Sequence, residues 1–146
     1  MGKKKINIPD SLTQGLFLPQ EECLEIPYKK EKLFIGLPKE TSFQENRIAL
    51  SPYSVKTLVN AGHRVVVEEG AGEDSSFYDL DYSEAGAEIA YSPEEVFKAN
   101  VILKVAPPSL QEIDLSFPGQ IIISPIHLPS LTEEYIYRLK EKRVTA

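Results

Sequence analysis

Cysteine is almost absent from this chain. Cys23 is the one such residue among 146, which excludes an intrachain disulfide framework. Cys23 has no partner at metal-ligand spacing, so it reads as an unpaired thiol. Long apolar runs are also missing: nothing approaches the eighteen or so residues of a membrane span or a signal core. The cytoplasm is therefore the expected compartment, with no membrane insertion. Positive charge is in short supply too, with 16 basic against 22 acidic residues and a formal charge of −6. No broad field exists to attract nucleic acid or anionic lipid. The Lys3, Lys4, Lys5 run reads as a solvated end.

What is present is an ordinary globular composition, 42% hydrophobic and 26% charged, far from the regime of disorder. A chain of this length buries roughly two-thirds of its unfolded surface in one core. Residues 1 to 32 carry Pro9, Pro19 and Pro27 and only scattered apolar residues, without helical or alternating periodicity. They read as an N-terminal arm, and residues 33 to 146 as the folded domain.

Within that domain, strands and helices alternate. Leu33 to Leu37 is a short apolar run ended by Pro38, as suits a strand buried on both faces. Ser51 and Pro52 open a helix, predicted over 52–61, with Val55, Leu58 and Val59 as its apolar stripe and Gly62 as its stop. Strands are predicted at Arg64–Glu68, Glu88–Ala90, Val101–Val105 and Gln120–Ser124. Ser83 to Ala85 continues a short helix ended by Gly86, and Ser92-Pro93-Glu94-Glu95 has the signature of a helix start. A last helix is predicted over Leu131–Lys142, opened by Ser130. Val144-Thr145-Ala146 reads as the beginning of one more strand, so the chain is expected to stop mid-element. The fold class is α/β, a doubly wound and mostly parallel sheet with helices on both faces.

In such sheets ligands sit beyond the carboxyl ends of the strands. Three groups are expected there. Arg47, in the loop after the first strand, offers a planar fork matched to a carboxylate, although a local pair with Glu45 would also explain it. Lys104 follows Val101, Ile102 and Leu103, and a cation on so apolar a strand needs an anion, whether a ligand or an internal ion pair. His127, just past the Ile121–Ser124 run, can give and take a proton near neutrality. His63 beside Gly62 reads as a partner for a helix C-terminus. Glu69-Gly70-Ala71-Gly72 follows a strand, but Ser75 stands where the third glycine of a G-x-G-x-x-G phosphate loop belongs. It reads as a turn, without a nucleotide fingerprint.

The segments Ile35–Glu40, Glu45–Ala49, Gly62-His63, Glu69–Gly72, Ala85–Ala87 and Ile102–Val105 resemble, in order and spacing, the N-terminal domain shared by alanine dehydrogenases and pyridine nucleotide transhydrogenases. The resemblance runs from about Leu33 to the end. It implies that Arg47 holds a substrate carboxylate, that Lys104 contacts the carboxylate or carbonyl oxygen, and that His127 transfers the proton during oxidation of alanine to pyruvate and ammonium. It also implies that NAD binds a separate domain not contained in this chain, that the chain alone has no turnover, and that the whole protein is a dimer or hexamer. His127 favours the dehydrogenase branch over the alpha subunit of the transhydrogenase, although Pro125 stands where an aromatic residue is common in the dehydrogenases. A free-standing regulatory or ligand-binding module is the alternative of a different class.

Overall fold

A computed structural model describes residues 31–126 and 132–145. Five strands, β1 (Phe34–Leu37), β2 (Arg64–Glu68), β3 (Glu88–Ala90), β4 (Val101–Leu103) and β5 (Ile121–Ile123), form one sheet in the order β3-β2-β1-β4-β5. Every pairing is parallel. Between them run α1 (Pro52–Asn60), a 3-10 turn (Glu73–Ser75), α2 (Asp79–Glu84), α3 (Pro93–Val96) and α4 (Leu110–Leu115), with α5 (Glu133–Lys142) following β5.

Parallel register and the two-residue period of a strand sort the apolar side chains into two cores. Ile35 faces Val65 on one side and Val101 on the other. With Leu37 and Val67 these residues pack against Val55 of α1 and Tyr82 of α2. The alternate residues Val66, Ile102 and Ile122 pack on the opposite face against Val96 of α3, Phe97 and Ala99, with Leu115 of α4 against them. Helices thus cover both faces, and the sheet is doubly wound as the pattern predicts.

Local chemistry explains the boundaries. The Ser51 hydroxyl accepts the Ser54 N–H and Pro52 takes the first turn of α1, where its missing N–H has no cost. At the other end Gly62 adopts φ of 94°. Its N–H reaches the Val59 carbonyl and the His63 N–H the Leu58 carbonyl, a Schellman closure that disfavours a side chain at position 62. The helix ends one residue before its predicted limit.

Three differences from the sequence expectation have physical causes. α4 was not expected. It is a six-residue helix opened by a capping box in which the Ser109 hydroxyl and the Glu112 carboxylate each accept the other's backbone N–H, a pairing that stabilises a helix too short for periodicity to reveal. α5 starts at Glu133 because Thr132 supplies its cap, the hydroxyl accepting the Tyr135 N–H; the expected Ser130 lies outside the described residues. β4 ends at Leu103, two residues short of its predicted limit, although the Lys104 N–H still reaches the Ile123 carbonyl. Thr145 forms a parallel bridge to Ile121, in keeping with the strand beginning read at 144–146.

Candidate functional site

Chain order reverses beside β1: the first crossovers build outward through β2 to β3, and the later ones return to β4 and β5 on the other side. The crevice outside the carboxyl ends of β1 and β4 is therefore the topological switch point, where open α/β sheets take their ligands. β1 leads there into Pro38, Lys39 and Glu40, and β4 into Lys104.

Lys104 is buried, its side chain fully enclosed. Its ammonium lies 2.6 Å from Oε1 of Glu112 and 3.2 Å from Oε2 of Glu40. Each carboxylate uses its other oxygen on a backbone amide: Glu40 accepts the Val105 N–H at 2.6 Å and Glu112 the Ser109 N–H at 2.7 Å. Glu40 Oε2 makes no well-aligned hydrogen bond among the described residues, so its partner is the charge of Lys104. Two carboxylates thus flank one ammonium, and the buried lysine ties the loop after β1, the end of β4 and the start of α4 together. Of the two explanations the sequence leaves open for a cation at 104, the internal ion pair is the one present. The ammonium has three N–H donors and two carboxylate neighbours, so a substrate oxygen could share it with both once the enclosing side chains open.

At the end of β2, half-buried Glu68 accepts the Lys39 N–H at 2.8 Å. Burial pushes its carboxyl above the ordinary value, against the pull of that N–H; Glu112 repels it and Lys104 attracts it. A cleft of about 340 Å³ opens over this rim, lined by Lys39, Glu68, Glu94, Ser109, Glu112 and Leu115 among others.

Arg47 lies in the same loop as Glu40. Its Nε donates to Glu45 Oε1 at 2.8 Å and its Nη2 to Oε2 at 2.6 Å, while its backbone N–H also reaches Oε1. The arginine side chain is 74% exposed and that of Glu45 14%. The guanidinium holds the Glu45 carboxyl at about 2. The carboxylates of Glu45 and, more weakly, Glu40 hold the guanidinium above its ordinary value. An exposed fork docked on a carboxylate presents the geometry that an external carboxylate would take over.

Glu40 therefore links two of the three expected groups, touching Lys104 and lying within the electrostatic reach of Arg47. The third, His127, lies outside the described residues, as does Cys23. β5, which leads toward His127, ends beside Lys104, and the buried hydroxyl of Ser124 there has no hydrogen-bond partner among the described residues. Residue-level reasoning missed Glu40 and Glu112 as members of the site. The signal for Glu112 was the Ser-x-x-Glu spacing of residues 109–112; for Glu40 no local signal existed, since its partner is 64 positions away.

The remaining sequence candidates take structural roles. His63 Nδ1 accepts the Leu33 N–H at 3.2 Å, which joins the end of α1 to the start of β1. The glycine turn does not fit a dinucleotide. Gly70 already donates its N–H to Asp79 Oδ1, and a Cβ at Gly72 would lie 2.7 Å from the Phe77 carbonyl oxygen, so the turn is filled by its own chain. Among the described residues no cluster of His, Cys, Asp or Glu is arranged to hold a metal ion, and no helix is long and apolar enough to cross a membrane.

Known proteins share this architecture. The chain is 41% identical to alanine dehydrogenase of Bacillus subtilis over 114 residues, which are 78% of this chain and 30% of that protein. It is 42% identical to the Methanococcus maripaludis alanine dehydrogenase over 117 residues, covering 77% and 30%. It thus spans about a third of the length of these relatives. Among solved structures, an L-alanine dehydrogenase superposes with a TM-score of 0.73 at 38% identity over 77% of this chain and 31% of that one. A transhydrogenase from Sinorhizobium meliloti superposes with a TM-score of 0.69, also at 38% identity, over 76% and 33%. The model of the alanine dehydrogenase/PNT N-terminal domain matches residues 36–146, and over that span this chain belongs to the family of alanine dehydrogenase and transhydrogenase N-terminal domains.

Proposed function

We propose that this chain is the substrate-holding domain of an NAD-dependent alanine dehydrogenase. The observation that carries the reading is the Arg47 fork, exposed and charged, in a loop that a buried ion triad fastens to the switch point. Arg47 exchanges Glu45 for the substrate carboxylate, and His127 gives and takes the proton at the reacting carbon. Lys104 keeps a place in the site as the charge that fixes its wall, and its third N–H is left for the direct contact with substrate that the family resemblance implies. The substrate is a small molecule, alanine or pyruvate. In keeping with the family resemblance, NAD belongs to a separate domain, and the whole protein works as a dimer or hexamer in the cytoplasm.

Alanine-dependent reduction of NAD by a protein containing both domains tests this reading, and Arg47→Ala should raise the KM for alanine by about a hundredfold for a lost charged fork. Absence of alanine oxidation together with hydride exchange between nucleotides would instead establish the second reading, a transhydrogenase subunit. The nearly equal structural likeness to the Sinorhizobium meliloti protein favours keeping it in view. The chain alone should turn over neither substrate.

A further inference from the structure

The turn after β2 that resembles a phosphate loop without being one has a use that the proposed reaction leaves unassigned. Its Ser75 occupies the position of the third glycine, and its hydroxyl donates to the Asn46 carbonyl at 2.6 Å. Asn46 immediately precedes Arg47. Four residues further along the same loop, the Tyr82 hydroxyl donates to the Leu50 carbonyl at 2.8 Å. Tyr82 also closes over Gly72, where a Cβ would meet its ring at 2.8 Å. We propose that Ser75 is a positioning residue for Arg47: the turn 70–76 buttresses the arginine loop by its backbone, as a phosphate loop would cradle a ligand.

The argument is one of order without burial. The Arg47 side chain is mostly solvated, so no packing fixes it, and its fork is docked on Glu45, two residues away in the same loop, so the pair does not tie that loop to the rest of the fold. Precision at the fork must come from the backbone that carries it. Glu40 pins the start of the loop to Val105 and Tyr82 its end, but both anchors lie three or more residues from Arg47. Ser75 alone among the described side chains hydrogen-bonds the residue next to it across the chain. The turn can reach because it is compact. Ser76 adopts φ of 62°, and the Ser75 and Phe77 N–H groups both bond the Gly72 carbonyl, which brings the Ser75 hydroxyl to the sheet's carboxyl edge.

This inference rests on the reading of Arg47 as the carboxylate fork, and the test separates the two. In the ligand-free intact chain, amide exchange at Arg47, whose N–H is held by Glu45, should quicken about fivefold in Ser75→Ala, the worth of one ordinary hydrogen bond. It should return to normal in Ser75→Thr, with Ile35 and Val66 in the sheet unchanged. Pyruvate affinity should fall by a similar factor in Ser75→Ala, and the loss should vanish in an Arg47→Ala background. If pyruvate fails to bind the parent protein while Arg47 exchange still follows Ser75, the substrate assignment fails and the buttress stands. Unchanged exchange at Arg47, or a uniform rise through the sheet, overturns the proposal.

Discussion

Replacing Lys104 by methionine should be among the most damaging single changes this fold can suffer. The perturbation leaves Oε2 of Glu40 and Oε1 of Glu112 facing the space of a vanished ammonium, both on side chains at least nine-tenths buried. Breaking a buried ion pair from one side costs about 3–5 kcal/mol, because the remaining charge is stranded in a poor solvent. Against a total stability of about 5–15 kcal/mol, that is a large fraction, and for a chain of this size it lowers Tm by roughly 10 °C.

Urea unfolding measures it: the midpoint should drop with the slope unchanged. Adding Glu40→Gln and Glu112→Gln, which keep an acceptor for Val105 and Ser109, should recover most of the loss. A Lys104→Met protein within about 1 kcal/mol of the parent at about pH 7 would refute the reasoning, since a buried charge without its partner cannot be that cheap.

Other perturbations probe other parts. The Glu45 carboxyl should titrate by NMR at about 2 and return toward 4.5 in Arg47→Ala; because its value is lowered, its contribution is present above 4.5 and fades as pH falls toward 2. Gly36→Ala places a Cβ 2.8 Å from both the Val96 carbonyl oxygen and Ile102 Cδ1, and the overpacked sheet should lose about 1–3 kcal/mol in urea unfolding. Glu68 has a raised value from burial, so its effect on stability is lost as pH rises above the ordinary carboxylate range; Glu68→Gln should flatten the stability curve there.

The sequence was most legible where physics is local. Ser51-Pro52 and Gly62 marked α1, since caps and stops act within a few residues, and Val65–Val67 marked β2 because a doubly covered strand is apolar throughout. Strand order was not legible: β1 lies between β2 and β4 because of packing between faces far apart in the chain. The same limit applied to the site. Lys104 was conspicuous as a charge on an apolar strand, but nothing local distinguished a ligand from Glu40 as its anion. Arg47 and Glu45, two residues apart, could be read as a pair, yet their exposure followed only from the fold. Ser75 was noticed as a missing glycine, and its bond to Asn46 depends on two loops meeting across β1 and β2.

Lys104 and Arg47 differ in a way that bears on which ligand form would bind best under the proposed reading. Lys104 has its counter-charges built in, whereas the proposed function requires the partner of Arg47 to be exchanged. If a substrate carboxylate displaces Glu45 from the fork, Glu45 loses the contact that holds it near 2 and moves toward 4.5. Alanine brings an ammonium along with its carboxylate, so Glu45 can acquire a new positive partner and remain ionised. Pyruvate brings none, and at a pH of about 4 its binding should draw a proton onto Glu45. Calorimetry in buffers of different ionisation enthalpy reads this directly: proton uptake on binding pyruvate near pH 4, little on binding alanine, and none for either ligand near pH 7, where the released carboxylate stays charged. Equal proton uptake for both ligands, or none for pyruvate at pH 4, would mean that Arg47 does not give up Glu45 to bind them.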